Sequence, residues 1–142
     1  MKTIRQFLDH SHRSLYSVGP SATVREALEI MAQHNIGALL VLEGSALAGI
    51  FSERDYARKV TLKGKSSSDL KVSEIMTSKV ITIDANHTVD QCMQIMTDHH
   101  IRHLPIMNGD NVIGLISIGD VVREMIAYQK SMIEQLQSYI TG

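Results

Sequence analysis

A single cysteine, Cys92, stands in the 142 residues. That excludes an intramolecular disulfide and any zinc site built on thiolates. Its apolar neighbours mark it as a small buried side chain, as expected in a reducing compartment. Tryptophan is absent and aromatics reach only 4%, so the core has to be built from Leu, Ile, Val and the eight Met. Neither sign of charge dominates: 14 Lys+Arg face 15 Asp+Glu, and the pI is about 6.6. The basic excess of a dedicated nucleic-acid binder is missing. No apolar run reaches the length of a membrane span, and the opening MKTIRQFLDHSHRS lacks the apolar stretch of a signal peptide. A cytoplasmic location is expected, with no nucleic-acid partner and no membrane partner. Catalytic motifs are missing too, with no nucleophile elbow, phosphate loop, dinucleotide glycine fingerprint or zincin pair. What remains is an ordinary globular composition, 44% hydrophobic and 20% charged, at a length suited to one real core.

The chain matches itself without a gap at an offset of 65. Thr23-Val24 pairs with Thr88-Val89, Ile30-Met31 with Ile95-Met96, and His34 with His99. The register continues through Ile36/Ile101, Leu39/Leu104, Gly44/Gly109, Gly49/Gly114, Ser52/Ser117, Asp55/Asp120 and Arg58/Arg123. Two copies of one unit are expected.

Each copy reads as strand–helix–strand–strand–helix. The first strands are Tyr16–Val18 and Val80–Ile83, and Thr23 and Thr88 stand as N-caps. Val24, Ala27, Leu28 and Met31 follow at helical spacing, mirrored by Val89, Cys92, Met93 and Met96. The apolar runs Ala38–Leu42 and Leu47–Phe51, with His103–Met107 and Val112–Ile116, predict two hairpins, the second turning at Asn108-Gly109-Asp110. A second helix starts near Ser52 and near Ser117. VSEIMT (72–77) reads as a helical lead-in to the second copy, and Thr3–His10 as its counterpart for the first. The expected divisions are a lead-in at 1–14, the first repeat at 15–62, linker and lead-in at 63–79, the second repeat at 80–126, and a terminal helix at 127–142. That last helix carries Val122, Met125, Ile126, Met132, Ile133, Leu136 and Ile140 as an apolar stripe interrupted once, at Gln129.

Seven histidines raise the question of a metal. His10 and His12 lie near the start, and His99, His100 and His103 cluster. The helix should end near His100, because Ile101–Met107 reads as strand, and that breaks the i, i+4 geometry a two-His ligand pair needs. No metal site is expected. The stronger signal is the repeated GIFSERD (49–55) and GLISIGD (114–120). Each sets Ser, then Asp three residues later, where a strand gives way to a helix. At minimum this is an N-cap with an acid in the first turn. It also describes a nucleotide cradle, with helix amides and Ser for phosphate and Asp for both ribose hydroxyls.

At these residues the chain resembles a tandem pair of cystathionine β-synthase (CBS) domains, the Bateman module. The match covers about residues 15–126 and rests on both G-h-x-S-x-x-D signatures, the VSEIMT connector and the IRHLPI strand. SERDYARK and SIGDVVRE are similar to small stand-alone CBS-pair proteins of bacteria and plant organelles. The resemblance implies an α/β (α+β) fold of two pseudo-symmetric β-α-β-β-α units packed through their sheets, with a C-terminal helical extension. It implies an adenine nucleotide (AMP first, then ATP, ADP or NAD, sometimes S-adenosylmethionine) in clefts between the repeats. It assigns Asp55 and Asp120 to ribose, Ser52 and Ser117 to ribose or phosphate, and Tyr16, Val18, Val80, Ile81 and Ile83 to adenine. Arg102 and His103 would hold phosphate, with Pro105 and Ile118 completing the set.

The copies differ at the phosphate position. The second has Arg102-His103 where the first has Gly37-Ala38, and the first has Glu53-Arg54 where the second has Ile118-Gly119. Arg54 either reaches a phosphate or is a solvated helix-start residue. The expectation is a homodimeric nucleotide sensor without catalytic residues, acting in trans on an unknown regulated protein. The alternatives are a structural dimer whose signatures only cap helices, and an enzyme using the inter-repeat cleft.

Overall fold

The computed structural model describes residues 1–11 and 13–141; His12 lies outside them. The fold is mixed α+β. Helix α1 (Ile4–Ser11) precedes β1 (Ser17–Val18), α2 (Val24–His34), β2 (Ala38–Glu43), β3 (Ala46–Ser52) and the short α3 (Glu53–Tyr56). A π-helical turn, Ala57–Thr61, extends α3, and α4 (Val72–Ile75) follows the polar linker. The second copy runs β4 (Ile83–Asp84), α5 (Val89–His99), β5 (His103–Asn108), β6 (Asn111–Ser117) and α6 (Ile118–Thr141). The strands form two three-stranded sheets, in the orders β1-β2-β3 and β4-β5-β6. In both, the short first strand pairs in parallel with the next, Ser17 opposite Leu40 and Ile83 opposite Ile106.

The repeat holds down to single dihedrals. Thr23 and Thr88 both cap through complete capping boxes, with Glu26 and Gln91 as the reciprocal partners. The helices they start end on left-handed residues 65 positions apart, Asn35 (φ 52°) and His100 (φ 55°). Because α5 ends at His99, with His100 turning the chain into β5, the three clustered histidines never share a helix face. Both opening strands are shorter than expected, and β1 begins at Ser17, leaving Tyr16 outside it. Val80 and Ile81 stand outside any strand, since β4 meets β5 only from Ile83 onward.

The chain divides into two compact units that do not follow the linear repeats. One gathers β1, α2, β2, β3, α3 and α4 with residues 109–113; its core holds Val24, Met31, Leu39, Val41, Phe51 and Val72. The other gathers α1 with β4, α5, β5, α6 and β6 from Gly114 on, around Ile4, Phe7, Val89, Met96, Leu104 and Ile116. Each lead-in helix therefore packs on the repeat it does not precede. Ile4 N–H donates to His87 O at 2.8 Å, and Val72 N–H donates to Ala22 O at 2.8 Å.

This exchange explains the glycines that open the two signatures. The segment after α4 runs beside β3, where Ile50 and Thr77 exchange backbone hydrogen bonds (3.0 and 2.9 Å). A Cβ at Gly49 would lie 2.7 Å from both Met76 Sδ and Thr77 O. At Gly114 it would lie 2.7 Å from Leu8 Cδ2, the end of a flexible side chain. Gly49→Ala is expected to destabilise by about 1–3 kcal/mol, the usual cost of overpacking against backbone that cannot move aside. Gly114→Ala should cost clearly less, and urea unfolding of both variants checks the order.

Candidate functional site

Each Ser-x-x-Asp signature folds into a closed capping box. Ser52 N–H and Oγ–H both donate to Asp55 Oδ2 at 3.0 Å, and Asp55 N–H returns to Ser52 Oγ at 3.2 Å. In the second copy Ser117 N–H and Oγ–H donate to Asp120 Oδ2 at 2.8 and 2.9 Å, and Asp120 N–H returns at 3.2 Å. Both carboxylates are buried, 9% and 4% exposed, and they are the two buried charged residues among those described. Burying a charge is costly unless it is well partnered, so these two positions are ones where the fold invests in a carboxylate.

Most of the first-turn helix amides, expected to be free, are bound inside the fold. Glu53 N–H donates to Gly37 O at 3.1 Å, and Ile118 N–H donates to Arg102 O at 2.9 Å. With Asp55 N–H and Asp120 N–H bound to serine, two of the first three amides of each helix are engaged inside the fold. The carbonyl before β2 or β5 caps the helix after β3 or β6.

Each carboxylate also binds a cation, differently in each copy. Asp55 Oδ1 receives Lys59 Nζ at 3.1 Å and Thr77 Oγ1 at 3.4 Å. Lys59 also donates to Ile75 O at 3.0 Å, a reach made from the π-helical turn. Asp120 Oδ1 receives Arg123 Nη2 at 2.7 Å, and Oδ2 receives Arg13 Nη2 at 2.9 Å. Arg13 also lies over the Phe7 ring, 5.4 Å from its centroid. Burial works to raise the Asp120 pKa, but the Arg13 hydrogen bond and the Ser117 donors outweigh it and hold the carboxyl below its ordinary value. Among the described residues no buried side-chain N or O lacks a partner.

Of the other expected site residues, Tyr16, Val18, Arg54, Val80 and Ile81 fall in the unit that holds Asp55. Ile83, Arg102, His103, Pro105 and Ile118 fall in the unit that holds Asp120. Val18, Ile83 and Pro105 are buried, Arg54 and Arg102 are exposed, and His103 is half-buried on β5. Burial, more than the neighbouring Arg102 charge, lowers the His103 pKa against the pull of Asp120. At neutral pH the lowered value favours the uncharged ring. One face of the Tyr16 ring is covered by His34, stacked at 3.8 Å between centroids and 17° between planes. Cys92 is buried as expected, its thiol pushed up to about 11 by burial and by Asp90. Among the described residues no group of three His, Cys, Asp or Glu is placed to hold a metal ion, and no helix is long and apolar enough to cross a membrane.

The partners Arg13, Lys59 and Thr77 were not legible as site residues. Arg13 and Thr77 lie on lead-in segments, where the ungapped match carries no identities, and only the exchange of lead-ins brings them to the carboxylates.

Comparison with known proteins agrees with this duplicated geometry. The family model for the CBS domain matches twice, over residues 4–61 and 72–127. A mitochondrial CBS domain-containing protein of Arabidopsis thaliana, CBSX3, is 46% identical over 125 residues. The match spans 84% of this chain but only 61% of that protein's length. The CBS domain-containing protein YhcV of Bacillus subtilis is 35% identical over 105 residues, 74% of each chain. A solved CBS-domain protein from Burkholderia ambifaria superposes with a TM-score of 0.85 at 47% identity, covering 89% of this chain and 95% of its own. A CBS domain pair solved in complex with 5′-methylthioadenosine and S-adenosyl-L-methionine shares the fold at 23% identity and a TM-score of 0.78, covering 90% of this chain and 98% of its own. The chain belongs to the CBS-domain family, and it carries the domain twice, as a tandem pair.

Proposed function

We propose that the chain is a regulatory module that binds an adenine nucleotide, AMP in the first place and ATP, ADP or NAD as alternatives. Each repeat supplies one ribose seat, Asp55 with Ser52 and Asp120 with Ser117. The observation that carries this reading is the pair of buried carboxylates at equivalent strand-to-helix junctions, each with a cation-bearing side chain bound to Oδ1. A helix cap needs no carboxylate 4% or 9% exposed, whereas a carboxylate is the group that accepts both hydroxyls of a ribose. The fold supports it further, being one on which another protein binds adenosine compounds. Arg102 supplies positive charge toward a phosphate at the second repeat, and His103 a neutral donor. The module has no nucleophile or base of its own in this role and acts on a regulated protein in trans. It works in the cytoplasm as a homodimer joined through the exposed stripe of α6.

A second reading is favoured by the closed hydrogen-bond inventory: the two boxes simply cap helices, and nothing binds. Titration calorimetry of the full chain with AMP, ADP, ATP and NAD separates the two. Saturable heat is expected with AMP, and recovery of unaltered nucleotide afterwards excludes turnover. Silence with every nucleotide, in a protein that melts cooperatively, would establish the capping reading instead.

A further inference from the structure

The two ribose seats are closed by different hands. The segment after each lead-in helix delivers one donor to the carboxylate of its unit. After α4 this is Thr77, a neutral hydroxyl on Asp55 Oδ1 at the long distance of 3.4 Å. After α1 it is Arg13, a guanidinium on Asp120 Oδ2 at 2.9 Å. The lead-ins pair alike with their repeats, Leu70 O accepting from Val24 N–H as Lys2 O does from Val89 N–H, and that register sets Ile81 opposite Arg13, so no equivalent cation follows α4.

A carboxylate offers about four lone-pair directions over its two oxygens. At Asp120 the donors are shared unevenly: Ser117 N–H, Ser117 Oγ–H and Arg13 crowd Oδ2, and Arg123 alone binds Oδ1. A pair of ribose hydroxyls, one on each oxygen, can reach Oδ2 only by displacing Arg13, because the Ser117 bonds belong to the helix cap. Arg13 is the partner placed to leave. It shares the crowded Oδ2, and it stands on irregular chain past the end of α1, not on α6 as Arg123 does. At Asp55 the group to be displaced is a weakly bound hydroxyl.

We propose that Arg13 is an intramolecular competitor for the ribose seat of the second repeat, so that the two seats fill in order, Asp55 first and Asp120 only when Arg13 lets go. The proposal rests on the ribose roles assigned above. It makes the segment past α1 a control element: a partner or ligand anion that draws Arg13 away raises the affinity of the second seat without touching it.

Adenosine is the discriminating probe, because it carries the ribose but no phosphate that Arg13 could favour. With the first seat silenced by Asp55→Ala, adding Arg13→Ala is expected to tighten adenosine binding to the full chain about fivefold, the scale of a partly exposed ion pair. Arg13→Gln, which keeps a weaker neutral donor, should fall between. Added salt should improve adenosine binding while Arg13 is present and leave the Arg13→Ala protein unchanged. With the second seat silenced by Asp120→Ala, Arg13→Ala should leave adenosine affinity unaltered. If Arg13→Ala leaves second-seat affinity unchanged or weakens it while the Asp55 seat still binds, the competition is refuted and the nucleotide reading survives. If neither seat binds adenosine or AMP in any variant, both are refuted together.

Discussion

Asp120→Ala is expected to weaken adenine-nucleotide binding at the second repeat by about 30- to 160-fold, the equivalent of 2–3 kcal/mol for charge-assisted hydrogen bonds to both ribose hydroxyls. The stability cost should be smaller. The substitution removes a helix cap, worth about 0.5–2 kcal/mol, and two ion pairs whose arginine side chains are 51% and 71% exposed, so each pair adds little. No charge is left buried without a partner, since both guanidiniums already face solvent. Asp120→Asn keeps the shape and one cap acceptor but loses the charge, and should recover stability far more than affinity. AMP lacking both ribose hydroxyls should bind the wild-type protein about as poorly as AMP binds the alanine variant. Arg102→Ala should weaken AMP and ATP but spare adenosine. If Asp120→Ala lowers the melting temperature and leaves every nucleotide's affinity intact, Asp120 is a cap alone.

The same carboxylate shapes the acid side of the stability profile. Its pKa is lowered in the folded chain, so its contribution is complete above the unfolded carboxylate value of about 3.9. It disappears as pH falls through the lower folded value. His103 acts earlier. Its pKa is also lowered, so below about pH 6.5 the unfolded chain takes up a proton that the folded chain resists, and stability begins to fall. Unfolding measured between pH 7 and 5 should therefore slope downward in the wild type and less so in His103→Gln, while Asp120→Asn changes the profile only at lower pH.

Local chemistry made much of this fold legible in the sequence, and long-range packing supplied the rest. The helices α2 and α5 were readable because a threonine cap, a reciprocal Glu26 or Gln91 and an apolar stripe all act within a few residues of one another. The Ser-x-x-Asp junctions were readable for the same reason. Val80 and Ile81 misled as strand residues because their apolar character says nothing about a partner, and β5 offers one only from Ile83 on. The exchange of lead-in helices left no local mark: whether Ile4 and Phe7 pack on the first or the second repeat is decided by surfaces more than 80 positions away. Arg13 follows from that exchange, and so does the explanation of Gly49 and Gly114, whose conformation is ordinary and whose crowding comes from the arriving segments. The engaged amides of α3 and α6 belong here too, because the carbonyls of Gly37 and Arg102 reach them only once the sheets have formed.

Truncation after Ile126 is expected to convert a dimer into a monomer, with a loss of at least about a thousandfold in self-affinity. Beyond Ala127 the described part of α6 is exposed throughout, and its apolar residues are not scattered. Ile126, Ile133 and Ile140 stand seven apart, as do Met125 and Met132, and Val122 and Leu136 flank Gln129 at the same interval. That is a helical seam of the kind that pairs with a copy of itself, with one polar residue near its midpoint. Ile126, Ile133 and Leu136 are each more than half exposed, an arrangement costly for a free helix in water. The truncation removes Met132, Ile133, Leu136 and Ile140 from both copies. At about 1 kcal/mol for each side chain already part-covered, even half of that loss amounts to about 4 kcal/mol. The truncated chain should still fold, because none of the described residues in the segment removed is buried, and its melting temperature should cease to depend on protein concentration. Ile133→Glu in the full chain should act in the same direction without shortening the helix. Sizing with light scattering at micromolar concentration decides: a full-length protein that elutes and scatters as a monomer refutes the dimer.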